Sequence, residues 1–171
     1  DYASASNMFV IEDAAHALPS HVSLGQRIGG DSRAAATVFS FYATKTVTCG
    51  EGGMITTPRA DLDAAMRTAA CHGVDQDVYA RRNTGLPWYA VEEEGFKYNL
   101  PDLLAALGRE QLRAADAHYL RRLAIANQYL KGLPISGVLR TQYVRGGRDR
   151  SSWHLFLEKL DLSALTVTRD R

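Results

Sequence analysis

The sequence predicts an α/β fold. Three short runs rich in apolar, β-branched and aromatic residues lie at residues 8–11, 37–41 and 54–57, and loops bearing Gly or Pro separate them. Segments with helix signals follow from residue 61 onwards. Buried strands followed by helices are typical of an α/β sheet, so we expect this class for the chain.

The composition is that of an ordinary globular protein. The 171 residues are enough for about one domain, and 46% of them are hydrophobic and 23% charged. The 20 Lys and Arg nearly balance the 19 Asp and Glu, which gives no argument for a nucleic-acid or membrane partner. Cys49 and Cys71 lack metal-ligand spacing, and no signal peptide or apolar run of ~18 residues is visible. We therefore expect no metal site and a cytoplasmic location.

Two polar features follow the first two strands. The run at residues 8–11 predicts a buried parallel strand, and it ends in Glu12 and Asp13. The second strand leads into a loop at residues 42–53 that is rich in Thr and Gly and contains Lys45. Ligands bind beyond the carboxyl ends of strands in such sheets, so Asp13 and Lys45 both fall where a site is expected.

Two helices are predicted beyond the third strand. The first covers residues 61–72, with Asp61 as its N-cap and Gly73 as its stop. Residues 74–98 have the composition of a loop. A second, long helix is predicted from Asn99 to Lys131, with Leu104, Leu107 and Leu112 on its apolar face. Gly132 and Pro134 are expected to end it.

The C-terminal part predicts one more strand. Residues 145–150 are basic and contain Gly, which favours a loop. The alternating pattern of residues 153–160 predicts a strand. His154, Phe156 and Glu158 should face one side of it, and Trp153, Leu155 and Leu157 the other.

Five residues are candidates for a site, and each has a plainer interpretation. Asp13 is either a cap or surface acid, or a carboxylate that pairs with a cationic ring nitrogen. Lys45 is either a solvated loop lysine or an amine that forms a Schiff base with a cofactor. Ser40 either packs at its strand end or binds a phosphate, and His16 either is a core histidine or packs flat on a cofactor. Asn99 is primarily a helix cap.

Four motifs resemble those of the DegT/DnrJ/EryC1/StrS aminotransferase family. The segment IEDAAHA at residues 11–17 resembles its aspartate motif. SFYATK at residues 40–45, followed by GEGGM at residues 50–54, resembles its Schiff-base lysine motif. YNLPD at residues 98–102 and WHLF at residues 153–156 resemble its asparagine segment and its first small-domain strand. The motifs come in the order and spacing of the family across nearly the whole chain.

The resemblance implies a fold-type I transferase that depends on pyridoxal 5'-phosphate (PLP). Residues 1–132 would be the C-terminal part of the PLP-binding large domain, a partial mixed sheet with helices and a connecting helix. Residues 133–171 would be the start of a small C-terminal domain. Family members aminate a keto group on a nucleotide-linked sugar, with glutamate as the usual donor. Residues 72–73 and the segment around Asn99 look most like the enzymes that make 4-amino-4-deoxy-arabinose on UDP.

The resemblance also implies roles for the five candidate residues. Asp13 would keep the pyridine nitrogen of PLP protonated, and His16 would pack on its ring. Ser40 would bind its phosphate, and Lys45 would be the catalytic residue that binds PLP covalently. Asn99 would reach the phosphate from the partner subunit of a homodimer.

Other functions remain open at this point. A PLP-fold sugar dehydratase is one alternative, but the related dehydratases carry histidine where Lys45 stands. A non-catalytic homologue is another alternative. The presence of Asp13, Ser40 and Lys45 together argues against it. The chain opens at Asp1 without an initiator Met, and the family's upstream phosphate-binding loop has no counterpart here. We therefore expect a piece of a longer protein that is inactive when isolated.

Overall fold

The computed structural model describes residues 2–21, 25–30, 33–74, 83, 85, 88–133, 138–142, 144, 147 and 151–166. In chain order its elements are α1 (Tyr2–Ala5), β1 (Ile11–Asp13), β2 (Ala36–Ser40), β3 (Gly53–Thr56), α2 (Ala60–Ala70), α3 (Asp102–Arg113), α4 (Ala115–Gly132), β4 (Leu139–Thr141), β5 (Glu158–Leu160) and a 3-10 turn at Leu162–Ala164. No helix in the described part of the chain is both long and apolar enough to span a bilayer.

The three predicted strands form one mixed sheet in the order β1-β2-β3. β1 runs parallel to β2, with Asp13 opposite Val38. β3 runs antiparallel to β2, with Gly53 opposite Ser40. The α/β class and the mixed sheet predicted from the sequence are therefore confirmed.

The first strand differs from its prediction in extent and in burial. β1 begins at Ile11 rather than at residue 8. Ile11 is 68% exposed and Phe9 is 76% exposed, so the prediction of a buried strand at residues 8–11 was wrong. β1 has a single neighbour among the described strands, and little of the described chain covers these side chains. Phe9 instead lies under the guanidinium of Arg59, 5.1 Å from its ring centroid.

The first hydrophobic core packs beside β2 and under the loop that follows it. Its buried members are Ala14, Phe39, Phe41, Val47, Cys49 and Ala115. Leu100 and Leu104 pack against this cluster from the region before α3 and from its first turn. The core therefore joins the ends of β1 and β2 to the base of the lysine loop.

α2 confirms the first predicted helix but not its cap. The helix begins at Ala60, and the residue before it, Arg59, makes no capping bond through its side chain. Asp61 lies inside the first turn, where its carboxylate pairs with Arg59, so the N-cap prediction was wrong. The predicted stop is confirmed, because Gly73 has a φ of +69° and its N–H donates to the Thr68 carbonyl.

The predicted long helix is two helices. α3 starts at Asp102 after an extended Pro101, and it ends where Ala114 breaks the run before α4. Asn99 is not the N-cap, because its side chain accepts a hydrogen bond from Lys97 outside the helix. Of the predicted leucine face, Leu104 packs on the core, whereas Leu107 and Leu112 are each 47% exposed.

A second hydrophobic core joins α4 to the C-terminal segment. Tyr119, Ala126 and Trp153 are its buried members, and the rings of Trp153 and Phe156 stack at 5.8 Å. The predicted strand at residues 153–160 is reduced to β5, which pairs with β4, a strand that was not predicted. The predicted alternation was also wrong, since Trp153 has a φ of +49° and shares its side with Phe156. Pro134 and, apart from Gly147, the predicted loop at residues 145–150 lie outside the described residues.

Candidate functional site

The parallel pairing of β1 and β2 brings two polar side chains to one edge of the sheet. Asp13 lies opposite Val38, and the N–H of Ala14 donates to the Val38 carbonyl at 2.8 Å. Ser40 follows two residues later at the end of β2. The carboxylate of Asp13 is held by the N–H of Ala15 at 3.0 Å, in an exposed position. An acid and a hydroxyl thus lie at the carboxyl ends of neighbouring strands, where ligands bind in such sheets.

The lysine loop is folded tightly onto the end of β2. The N–H of Phe41 donates to the Gly52 carbonyl at 2.8 Å, and the N–H of Cys49 donates to the Phe41 carbonyl at 3.0 Å. Lys45 sits in a turn that its own N–H closes by donating to the Tyr42 carbonyl at 2.9 Å. Val47 and Cys49 are almost fully buried beneath it. The backbone of Lys45 is therefore fixed by the loop, and its side chain is half-buried.

The lysine loop is also fastened to the turn that follows β1. The hydroxyl of Thr46 donates to the Leu18 carbonyl at 2.5 Å, in a partly buried position. That turn begins at Ala14, directly after Asp13, and carries His16. The hydrogen bond links the Lys45 loop to the His16 turn at the carboxyl edge of β1 and β2.

His16 is exposed, and it contacts a residue from the far end of the chain. Its ring lies 4.4 Å from the ring of His154, with the two planes tilted by 55°. Its carbonyl oxygen accepts a hydrogen bond from the hydroxyl of Ser152 at 2.6 Å. His154 lies in a strand that was predicted from the sequence, but it was not predicted to be part of the site. A contact between residues 138 positions apart leaves no local signal in the sequence.

Positive groups surround His154. Burial is the first cause that lowers the pKa of His154, and the positive charges of His16, Lys45 and Arg122 lower it further. Lys45 is therefore close enough to influence the pKa of His154. A lowered pKa favours the neutral form of the His154 ring, which avoids placing another cation beside Lys45.

Asn99 is the exception among the five candidate residues. Within the described part of the chain its side chain contacts Lys97 and is exposed. Near it the rings of Phe96 and Tyr98 stack in parallel at 4.9 Å, also at the surface. The fold brings Asp13, Ser40, Lys45 and His16 to the carboxyl edge of β1 and β2, whereas Asn99 lies exposed in the segment that precedes α3.

An acid at one strand end, with a serine and a lysine loop at the next, agrees with the positions of the sequence motifs in the fold. The model of the DegT/DnrJ/EryC1/StrS aminotransferase family matches residues 1–171. The chain belongs to the DegT/DnrJ/EryC1/StrS aminotransferase family. The resemblance inferred from the sequence motifs is thereby confirmed.

Among its relatives in the DegT/DnrJ/EryC1/StrS family is the spore coat polysaccharide biosynthesis protein SpsC of Bacillus subtilis, 40% identical over 163 residues. The match covers 95% of this chain and 41% of SpsC. Among solved structures, Helicobacter pylori PseC, an aminotransferase involved in the biosynthesis of pseudoaminic acid, matches with a TM-score of 0.81 and 25% identity, over 95% of this chain and 41% of PseC. The chain spans about two-fifths of the length of both proteins.

A second solved structure shows a bound reaction species. DesV of S. venezuelae, in complex with a ketimine intermediate, matches with a TM-score of 0.79 and 29% identity over 92% of this chain and 39% of DesV. The putative sugar aminotransferase Spr1654 of Streptococcus pneumoniae also matches this chain, and its structures include a PLP form and a PMP form. These likenesses confirm the predicted fold class, that of part of a fold-type I PLP-dependent transferase.

Proposed function

We propose that the protein is a PLP-dependent aminotransferase that transfers an amino group from glutamate to a nucleotide-linked keto sugar. Family membership supports the reaction class. The observation that carries the proposal is the position of Asp13 and Ser40 at the carboxyl ends of the adjacent strands β1 and β2, with Lys45 in the loop that Thr46 links to the turn after β1. The nucleotide and the donor are inferred from the resemblance of the sequence motifs to this family.

The side chains at this edge of the sheet fit the chemistry of PLP. The Asp13 carboxylate can accept a hydrogen bond from a protonated ring nitrogen, and its exposure leaves it open to a ligand. The Ser40 oxygen accepts a long bond from the Tyr42 N–H at 3.4 Å, which leaves the hydroxyl hydrogen to donate to a phosphate oxygen. The His16 ring offers a flat face, and Lys45 offers the amine that binds the cofactor covalently.

Each residue then has a defined task in amino transfer. Bound PLP would supply an electron-withdrawing ring that stabilises negative charge on a substrate carbon. Asp13 would keep that ring protonated, because a carboxylate favours the cationic form of its partner. The amine of Lys45 would serve as the general base and acid that moves a proton at the substrate carbon.

The full active site is proposed to form in a homodimer in the cytoplasm. Asn99 would reach the PLP phosphate of the partner subunit, and its exposed side chain is open to such a contact. Residues 1–132 are proposed to be part of the large domain, and residues 133–171 to begin the small domain. The separate β4–β5 pair supports this division.

The experiment that tests the proposal is the substitution Lys45→Arg in the product of the complete coding sequence. Arginine keeps the positive charge but cannot serve as the amine, so amino transfer should be abolished while the melting temperature stays unchanged. Borohydride treatment of the wild-type protein with PLP, followed by peptide mapping, should place the adduct on Lys45. Lys131→Arg is the matched control, because Lys131 lies exposed at the end of α4. An adduct mapped to another lysine would refute the assignment.

The substrate class is tested with the same protein. Release of 2-oxoglutarate should depend on a keto sugar linked to a nucleotide and should fall when the free keto sugar replaces it. A product that has lost a hydroxyl without gaining nitrogen would instead support the dehydratase. A protein that neither binds PLP nor turns over either substrate would support the non-catalytic homologue.

A further inference from the structure

Residues 152–154 lie directly against the turn that carries His16. The buried Ser152 hydroxyl donates to the His16 carbonyl at 2.6 Å, and the His154 ring packs on the His16 ring at 4.4 Å. The first contact fixes the main chain of His16 and the second restricts its side chain. Both contacts come from one short segment, so His16 is held at two points by the same piece of the chain.

The segment itself is anchored to α4. The Nε of Arg122 donates to the Ser152 carbonyl at 3.0 Å. Trp153 is 5% exposed and packs in the second core with Tyr119 and Ala126. Its φ of +49° marks a sharp turn, on either side of which Ser152 and His154 reach His16. A rigid helix thus supports the segment that contacts His16.

The hydroxyl of Ser152 serves two partners. It donates to the His16 carbonyl and accepts from the His154 N–H at 3.3 Å, so it ties the backbones of both histidines together. In the described part of the chain, the ionisable groups that act on His154 are His16, Lys45 and Arg122, and none of these three is an acid. A neutral His154 can therefore pack on His16 without charge repulsion, as burial of its ring also favours.

We propose that Ser152 and His154 are positioning residues that hold His16 ready to pack on the cofactor ring. This inference rests on the role proposed above for His16. An exposed imidazole that rotates freely loses rotamer freedom when it packs on a ligand, and fixing it beforehand removes that cost. The residues that contribute this support come from beyond residue 132, so the C-terminal segment takes part in the PLP site of the large domain.

A double-mutant cycle on PLP affinity tests the inference in the product of the complete coding sequence. His154→Ala should weaken PLP binding by roughly three- to tenfold, the range expected for one aromatic contact. In a His16→Ala background the same change should have no further effect, because His154 acts through His16. His154→Phe keeps a flat ring and should restore most of the affinity. His118→Ala removes an exposed histidine from α4 and is the matched control.

A second measurement needs no cofactor. The ring resonances of His16 in the PLP-free protein should shift in both Ser152→Ala and His154→Ala, and Ser152→Thr, which keeps the hydroxyl, should restore them. Equal losses of PLP affinity in both backgrounds, or unchanged His16 resonances, would overturn the inference. If His16→Ala leaves PLP affinity intact, the proposed role of His16 fails instead, and the resonances still decide whether the segment positions its ring.

Discussion

Asp13 is the residue whose proposed role depends most on charge. Its Oδ1 accepts the N–H of Ala15 at 3.0 Å, a bond that an amide oxygen can also accept. Asp13→Asn therefore removes the negative charge while keeping the local geometry. The rate of the amino-transfer half-reaction should fall by on the order of 100-fold, with a much smaller loss of PLP affinity, as stopped-flow absorbance and a binding titration would measure.

The control for this change is Asp63→Asn. Asp63 pairs with Arg67 on the exposed side of α2, where an ion pair contributes little. The control should leave both the rate and the affinity unchanged. Near wild-type turnover in Asp13→Asn would show that Asp13 serves only to hold the turn after β1.

The site residues were predictable from the sequence to different degrees. Asp13 and Ser40 each follow a recognisable apolar run, so strand-end reasoning places both at one edge of the sheet. His154 was not predicted as part of the site, because its contact with His16 depends on the turn at Trp153. The plainer interpretation of Asn99 as a helix cap was wrong, because α3 starts after Pro101 and the Asn99 side chain bonds to Lys97. Its role at the phosphate stays a prediction.

At the scale of elements, Thr46 connects the lysine loop to the turn after β1. Its hydroxyl donates to the Leu18 carbonyl in a partly buried position. Thr46→Val keeps the shape but leaves that carbonyl without its partner. The free energy of unfolding should fall by about 1–2 kcal/mol, measured by urea denaturation of the product of the complete coding sequence.

Thr46→Ser is the informative comparison for this substitution. Serine keeps the hydroxyl and loses only a methyl group, so it should retain most of the stability that valine loses. PLP affinity should follow the same order, since the bond holds the Lys45 loop against the His16 turn. If serine and valine destabilise the protein equally, the hydrogen bond is not what joins the two elements.

The helices show where sequence patterns stop being sufficient. Ala114 is a good helix former, so nothing local predicts that the run breaks there. The break coincides with packing: Ala115 is buried in the first core, and one guanidinium nitrogen of Arg27 donates to both carboxylate oxygens of Asp116 at 2.7 Å. Tertiary contacts thus override propensity at this point. By contrast, Gly73 was predicted as a helix stop from local chemistry, because a C-terminal glycine readily takes the positive φ that ends a helix.

At the scale of the whole molecule, the three-stranded sheet has an exposed apolar surface. β1 lies at one end of the strand order and β3 at the other, and Ile11, Met54 and Ile55 are between 45% and 68% exposed. The exposure of these side chains could not be predicted from the apolar runs. An apolar run indicates that a strand favours burial, but it does not indicate which segments cover the strand. Unpaired strand edges with apolar side chains pair with other chains.

We therefore predict that residues 1–171 expressed alone self-associate and bind PLP weakly or not at all. The physical cause is the uncovered sheet, and it acts even though Lys45 and Asp13 are in place. Light scattering after size exclusion should show species larger than a dimer, and the absorbance of bound PLP should be absent. The product of the complete coding sequence should form a dimer that binds PLP under the same conditions.

A matched variant separates the sheet edge from general misfolding. Ile11→Lys places a charge on the exposed strand β1, and charged side chains on edge strands oppose pairing between chains. It should shift residues 1–171 towards smaller species, whereas Leu162→Lys, at an exposed position in the 3-10 turn away from the sheet, should not. A chain that forms a discrete dimer, binds PLP and aminates a keto sugar by itself would contradict the prediction, because the sheet would then be complete enough to hold the cofactor.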